Sequence, residues 1–79
     1  MQYVATFFTH YDAIVFHRLL LRQKVENTLG PVPRALSSSC GTCVRFVYST
    51  DIHTLEHAEF EQLARDENGG YTIVFDRRG

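Results

Sequence analysis

The chain has only two thiols, Cys40 and Cys43, and both fall in the run Ser37-Ser38-Ser39-Cys40-Gly41-Thr42-Cys43. A cysteine attacks as its thiolate, and at an ordinary pKa of about 8.5 only ~3% is ionised at pH 7; a pKa lowered to about 6.5 would ionise about three quarters. The surroundings of Cys40 hold groups that favour the anion. Ser38, Ser39 and the backbone N–H groups around Gly41 can donate to sulfur, and Arg34 and Arg45 can supply positive charge. Gly41 also lets another backbone or a bulky sulfur-bound group approach closely. The plain alternative is that Cys40 is a small residue in a tight loop.

Cys43 admits more readings. Strand alternation places it beside Arg45, where it can be a resolving thiol, a metal ligand or a bystander. The Cys-x-x-Cys spacing matches dithiol redox motifs, but there the first cysteine opens a helix whose dipole lowers its pKa, and here a strand follows. Cys40, Cys43, His53 and His57 also make an approximate zinc pattern. Its nine-residue spacer is shorter than the usual 12–15 residues, and the intervening strand carries Cys43 away from the histidines. His10 and His17 look isolated, with His17 read as a satisfied boundary residue. Glu56, Glu59 and Glu61 read as a solvated helix face, and phosphate-loop, dinucleotide, nucleophile-elbow and HExxH patterns are absent, so no cofactor is expected.

Several elements must position these groups. Residues 2–8 are β-branched and aromatic with apolar side chains on both faces, as in a central strand. Thr9, followed by Asp12, caps a helix over about 10–23 with Ala13, Phe16 and Leu20 inward and Val15 and Leu19 on the far side. A short edge strand is expected near 25–29, stopped by Gly30-Pro31-Val32-Pro33. Thr42 to Tyr48 is the clearest strand, with Val44, Phe46 and Tyr48 on one face. A second helix is expected from Ile52 to Asn68-Gly69-Gly70, although Glu56 and Glu59 sit inside its apolar arc. Tyr71 to Asp76 alternates as a last strand.

The order β-α-β-β-α-β predicts an α+β, ferredoxin-like sandwich: a four-stranded antiparallel sheet with two helices on one face. The open face would carry Val4, Thr6, Phe8, Cys43, Arg45, Val47 and Val74, which points to a homodimer through that face. With 79 residues, residues 1–79 make a single domain with one modest core. The net charge of −1 argues against nucleic acid as a partner. No apolar run reaches the ~20 residues of a membrane span, and two adjacent cysteines cannot staple a secreted fold, so a cytoplasmic setting without membrane partners is expected.

The Pro-x-Pro-Arg-x-Leu-Ser-Ser-Ser-Cys-Gly run at 31–41, the strand with Arg45-Phe46 and the Thr-His-x-Asp-Ala start of the first helix resemble one family. It is the group of small bacterial proteins described as putative selenium/sulfur carrier protein-like, and the similarity spans nearly the whole chain. The resemblance implies a carrier in which Cys40 holds a persulfide or selenium adduct received from a donor protein and passes it to an acceptor protein. Cys43, present in only some members, would release cargo by forming a disulfide. Such a chain is a shuttle more than a self-contained enzyme. The alternative from another class is a non-catalytic binding module, either zinc-stabilised through Cys40, Cys43, His53 and His57 or dimerising through the open face.

Overall fold

The computed structural model describes residues 1–55 and 57–78. Strand β1 spans Gln2–Thr6, helix α1 His10–Arg22, β2 Asn27–Pro31, β3 Thr42–Val47, β4 Gln62–Glu67 and β5 Gly70–Asp76, with a 3₁₀ turn at Ile52–Leu55. The strands form one sheet in the order β2-β3-β1-β4-β5, and every neighbouring pair is antiparallel. The fold is therefore α+β, with five strands and one α-helix among the described residues.

Two elements form as their patterns predict. In α1, the Thr9 hydroxyl accepts the Asp12 N–H at 3.1 Å, and Asp12 and Arg22 sit where the helix dipole favours their charges. The helix ends with Lys24 in the left-handed region (φ 59°), the Val25 N–H returning to the Leu20 carbonyl and the Lys24 N–H to the Leu21 carbonyl. This paired closure satisfies two otherwise orphaned carbonyls. Strand β1 is the central strand, paired with β3 on one side and β4 on the other. Its Tyr3 and Ala5, with Phe7 just beyond, face α1. Phe16 sits among Phe7, Phe46 and Phe60, at ring-centroid distances of 5.6, 5.4 and 6.2 Å. Leu19, expected on the far side of the helix, packs against this core, whereas Val15 is exposed as expected.

The second helix does not form, and with it the ferredoxin-like layout of four strands and two helices is replaced. Asp51 starts a turn instead: its carboxylate accepts the His53 N–H at 3.0 Å and its carbonyl the Thr54 N–H at 3.1 Å. From Gln62 to Glu67 the chain is the extended strand β4. The apolar arc through Ile52, Leu55, Phe60 and Leu63 that suggested a helix is satisfied from two separate pieces, all four side chains being buried. Glu59 is then left exposed at no cost; Glu56 lies outside the described residues. Asn68 (φ 53°) and Gly69 (φ 76°), which resemble a helix stop, are both left-handed and make the two-residue reversal between β4 and β5.

Two smaller expectations also change. Strand β2 runs through Gly30 and Pro31, which pair with Cys43 and Thr42; an edge strand tolerates a proline whose missing N–H is not needed by a neighbour. In β5, Leu63 pairs with Phe75 and Ala64 with Ile73, so Val74 is an extra residue in a bulge. Val74 therefore packs against the core rather than lying on the open face, and Ile73 takes the exposed place. On the face away from α1, Val4, Thr6, Cys43 and Ala64 are all buried, while Val47 and Ile73 are exposed, as is Phe8, which alternation puts on that side just beyond β1.

Candidate functional site

Residues 32–41 connect β2 to β3, and the Val32 N–H bonded to the Gly41 carbonyl at 3.3 Å closes the neck of this loop. Gly41 has φ 74°, and a side chain there would meet nothing within 4 Å. Backbone conformation, not space, is what calls for glycine.

The three serines anchor the loop to three different places. Ser37 accepts a hydrogen bond from the Arg78 guanidinium, beyond β5. Ser38 donates its hydroxyl to the Phe7 carbonyl at 3.0 Å, at the end of the central strand. Ser39 donates twice to one carboxylate, from its N–H to Glu61 Oε1 at 3.3 Å and from its hydroxyl to Oε2 at 2.7 Å. Cys40 then lies at the edge of the hydrophobic core, partly exposed. Its N–H donates to Ser38 Oγ at 3.3 Å, its Sγ lies 3.8 Å from the same oxygen, and its thiol donates to the Thr42 carbonyl at 3.5 Å. With its own proton on the Phe7 carbonyl, Ser38 Oγ meets Cys40 as an acceptor; presenting a hydrogen to a sulfur anion requires that hydroxyl to rotate.

Cys43 occupies a different environment. It is fully buried on β3, and its thiol donates to the Pro31 carbonyl at 3.4 Å. Burial pushes the Cys43 thiol above the ordinary cysteine range; the Arg45 charge opposes this, and Cys40 adds to it. Arg45 therefore acts on Cys43 electrostatically from the same strand face. Arg34 is exposed in the loop and makes no hydrogen bond or ion pair among the described residues. His17 is satisfied by Asn27, as its boundary position predicted. His53 stands edge-on to the Phe75 ring, with centroids 5.2 Å apart. Among the described residues, no three His, Cys, Asp or Glu side chains gather as a metal-ligand set, so Cys40, Cys43, His53 and His57 are not brought together.

Glu61 is the residue whose role the sequence concealed. Far from lying on a solvated helix face, it is 1% exposed at the entrance to β4, and its carboxylate also accepts the Thr6 hydroxyl at 3.3 Å. Its backbone is held by the Thr6 carbonyl at 2.7 Å and the Arg77 N–H at 2.9 Å. His10, isolated in the sequence, has its Nδ1 3.2 Å from the Thr42 hydroxyl, on the residue whose carbonyl receives the Cys40 thiol. The signal for Glu61 was its neighbours' misfit to a helical wheel. For His10 there was only its place in the Thr9-His10-x-Asp12 run.

A family whose description reads Putative Se/S carrier protein-like matches residues 2–72. The chain belongs to that family. The matched span includes the whole thiol loop, Cys43, His10 and Glu61, and leaves Asp76 and Arg78 outside. No curated protein and no solved structure gives a match. Among the described residues, no helix of this Se/S carrier-like chain is long and apolar enough to cross a membrane.

Proposed function

We propose that this protein carries sulfur or selenium on Cys40, receiving it from a donor protein and passing it to an acceptor protein. In the sulfur case, the Cys40 thiolate attacks the outer sulfur of a donor persulfide. A Cys40–sulfur bond forms, the donor's sulfur–sulfur bond breaks, and the donor thiolate leaves and takes up a proton. Delivery is the same exchange in reverse, with an acceptor thiolate attacking the outer sulfur, so neither step needs an external oxidant or reductant.

The observation that carries this reading is the contrast in access between the two thiols. Cys40 is the partly exposed one, held in a serine-lined loop within the span that matches the carrier family. Ser38, by turning its hydroxyl away from the Phe7 carbonyl, Ser39, once released from Glu61, and the Gly41 amide would stabilise the adduct. Cys43 would take part in release by attacking Cys40 and expelling sulfide as a disulfide forms. Its burial means that the Gly30–Cys43 pairing must first open, so direct transfer from Cys40 is the main route.

The test is to incubate reduced protein with a cysteine desulfurase and cysteine, or with selenite and thiol, and to read intact mass. Wild type and Cys43→Ser are expected to gain sulfur or selenium atoms, and Cys40→Ser to gain none. A wild type that gains nothing overturns the carrier reading.

A further inference from the structure

Glu61 is a buried carboxylate one residue away from the thiol, and no step of sulfur transfer uses it. Removing a carboxylate from water is costly unless hydrogen bonds replace hydration. Here the N–H of Ser39 and the hydroxyls of Ser39 and Thr6 do so. No Lys or Arg makes a salt bridge with it among the described residues, although Arg78 is near enough to feel its charge. A carboxylate placed in this way holds donors. Two of its three bonds go to the residue that immediately precedes Cys40.

We propose that Glu61 is a positioning residue, a latch that holds the Ser39-Cys40 segment down against the sheet and so controls access to the thiol. Latched, Cys40 packs against the edge of the core and exposes only part of its surface. When the Ser39–Glu61 contact opens, the segment lifts and the thiol becomes accessible to a partner. The inference rests on the carrier reading for its purpose, which is to shield a persulfide from small thiols until an acceptor docks. The latch itself is a property of the unloaded protein.

The experiment therefore begins without cargo. In a Cys43→Ser background, the alkylation rate of Cys40 by iodoacetamide is measured against pH for the parent, Ser39→Ala, Glu61→Gln and the double variant. The charged and titratable groups around the loop are Glu61 before β4, His10 on α1, Arg78 after β5 and Arg34 in the loop itself, and any of them can move the inflection of the profile. On the alkaline plateau Cys40 is fully ionised, so the rate reads access apart from the shallow dependence of thiolate nucleophilicity on pKa, which the measured inflection corrects for. Losing a hydrogen bond to a charged group should raise the open population by about tenfold, so Ser39→Ala is expected to raise the plateau by roughly that factor. Glu61→Gln should raise it too, and the double variant no further than the larger single effect, because both break one contact.

Plateaus equal to the parent's in both single variants would overturn the latch, even if the inflection or the melting temperature moved. Effects that simply multiply would also overturn it. Loading then separates the two ideas. Raised plateaus in a protein that takes up no sulfur keep the latch and remove the carrier reading. Loading with unchanged plateaus does the opposite.

Discussion

The sheet contains two antiparallel neighbour pairs joined directly in sequence, and they are built very differently. Strands β4 and β5 reverse through Asn68 and Gly69 alone, both left-handed. Strands β2 and β3 are joined by residues 32–41, although their ladder needs no more chain than the other. The short reversal spends nothing beyond geometry. The long one is tied down by Ser37, Ser38 and Ser39 to three separate parts of the sheet, and it ends in Cys40. Chain in excess of what closure requires, with its polar groups committed to the scaffold, is where we place the proposed carrier chemistry.

The largest effect that can break this contrast is on loading. Cys40→Ser should abolish adduct formation while Cys43→Ser retains it, as read by intact mass; loss in Cys43→Ser alone would move the chemistry from the loop to the strand. A stability comparison comes next. Gly69→Ala and Gly41→Ala impose the same left-handed strain, at φ 76° and 74°, and each should cost about 1–2 kcal/mol in urea unfolding. Only Gly41→Ala should also change the alkylation rate of Cys40.

A smaller effect lies in the pH dependence of stability. Burial raises the Cys43 thiol above its unfolded value, so its contribution is fully present at neutral pH and is lost as pH rises through the folded value. The urea midpoint of wild type should therefore fall more steeply above pH 9 than that of Cys43→Ala. The smallest effect is at the rim. Hydrogen bonds from Arg78 hold the exposed Asp76 carboxyl below the usual range, and Arg78→Ala should let it rise toward the ordinary value, as followed by NMR titration. If Arg78→Ala also increased Cys40 alkylation strongly, Ser37 would share in holding the loop.

Local pattern and tertiary context account for what could be read from the chain alone. Helix α1, with its local cap, and strand β3 have strong single periods, so their core-facing residues are legible from the pattern apart from Leu19. The Ser-Ser-Ser-Cys-Gly run is legible as a loop between strands because its residues are contiguous. Strand β4 was not, because Phe60 and Leu63 satisfy a helical arc with Ile52 and Leu55 as readily as they satisfy two separate pieces. Asn68-Gly69 stops a helix or turns a hairpin with the same residues. Burial of Glu61 had only an indirect signal, the misfit of Glu56 and Glu59 to a helical wheel, because Ser39 and Thr6, which make that burial tolerable, lie 22 and 55 residues away. His10 similarly meets Thr42 across 32 residues.

The central place of β1 has a kinetic consequence. Its two ladders join Gln2 to Val47 and to Asp66, so β1, made before either partner, stays unpaired until the chain has grown past β3 and gains its second neighbour only when β4 emerges. Until then Tyr3, Val4, Ala5 and Phe7 stay unsheltered on a nascent chain. Closing such distant pairings slows folding relative to a fold built from local contacts. The thiol loop is fastened to Phe7 and Glu61, both defined only when that sheet is complete. The Ser39 anchor can therefore assemble only late in folding, and a partly folded chain presents Cys40 without its guard.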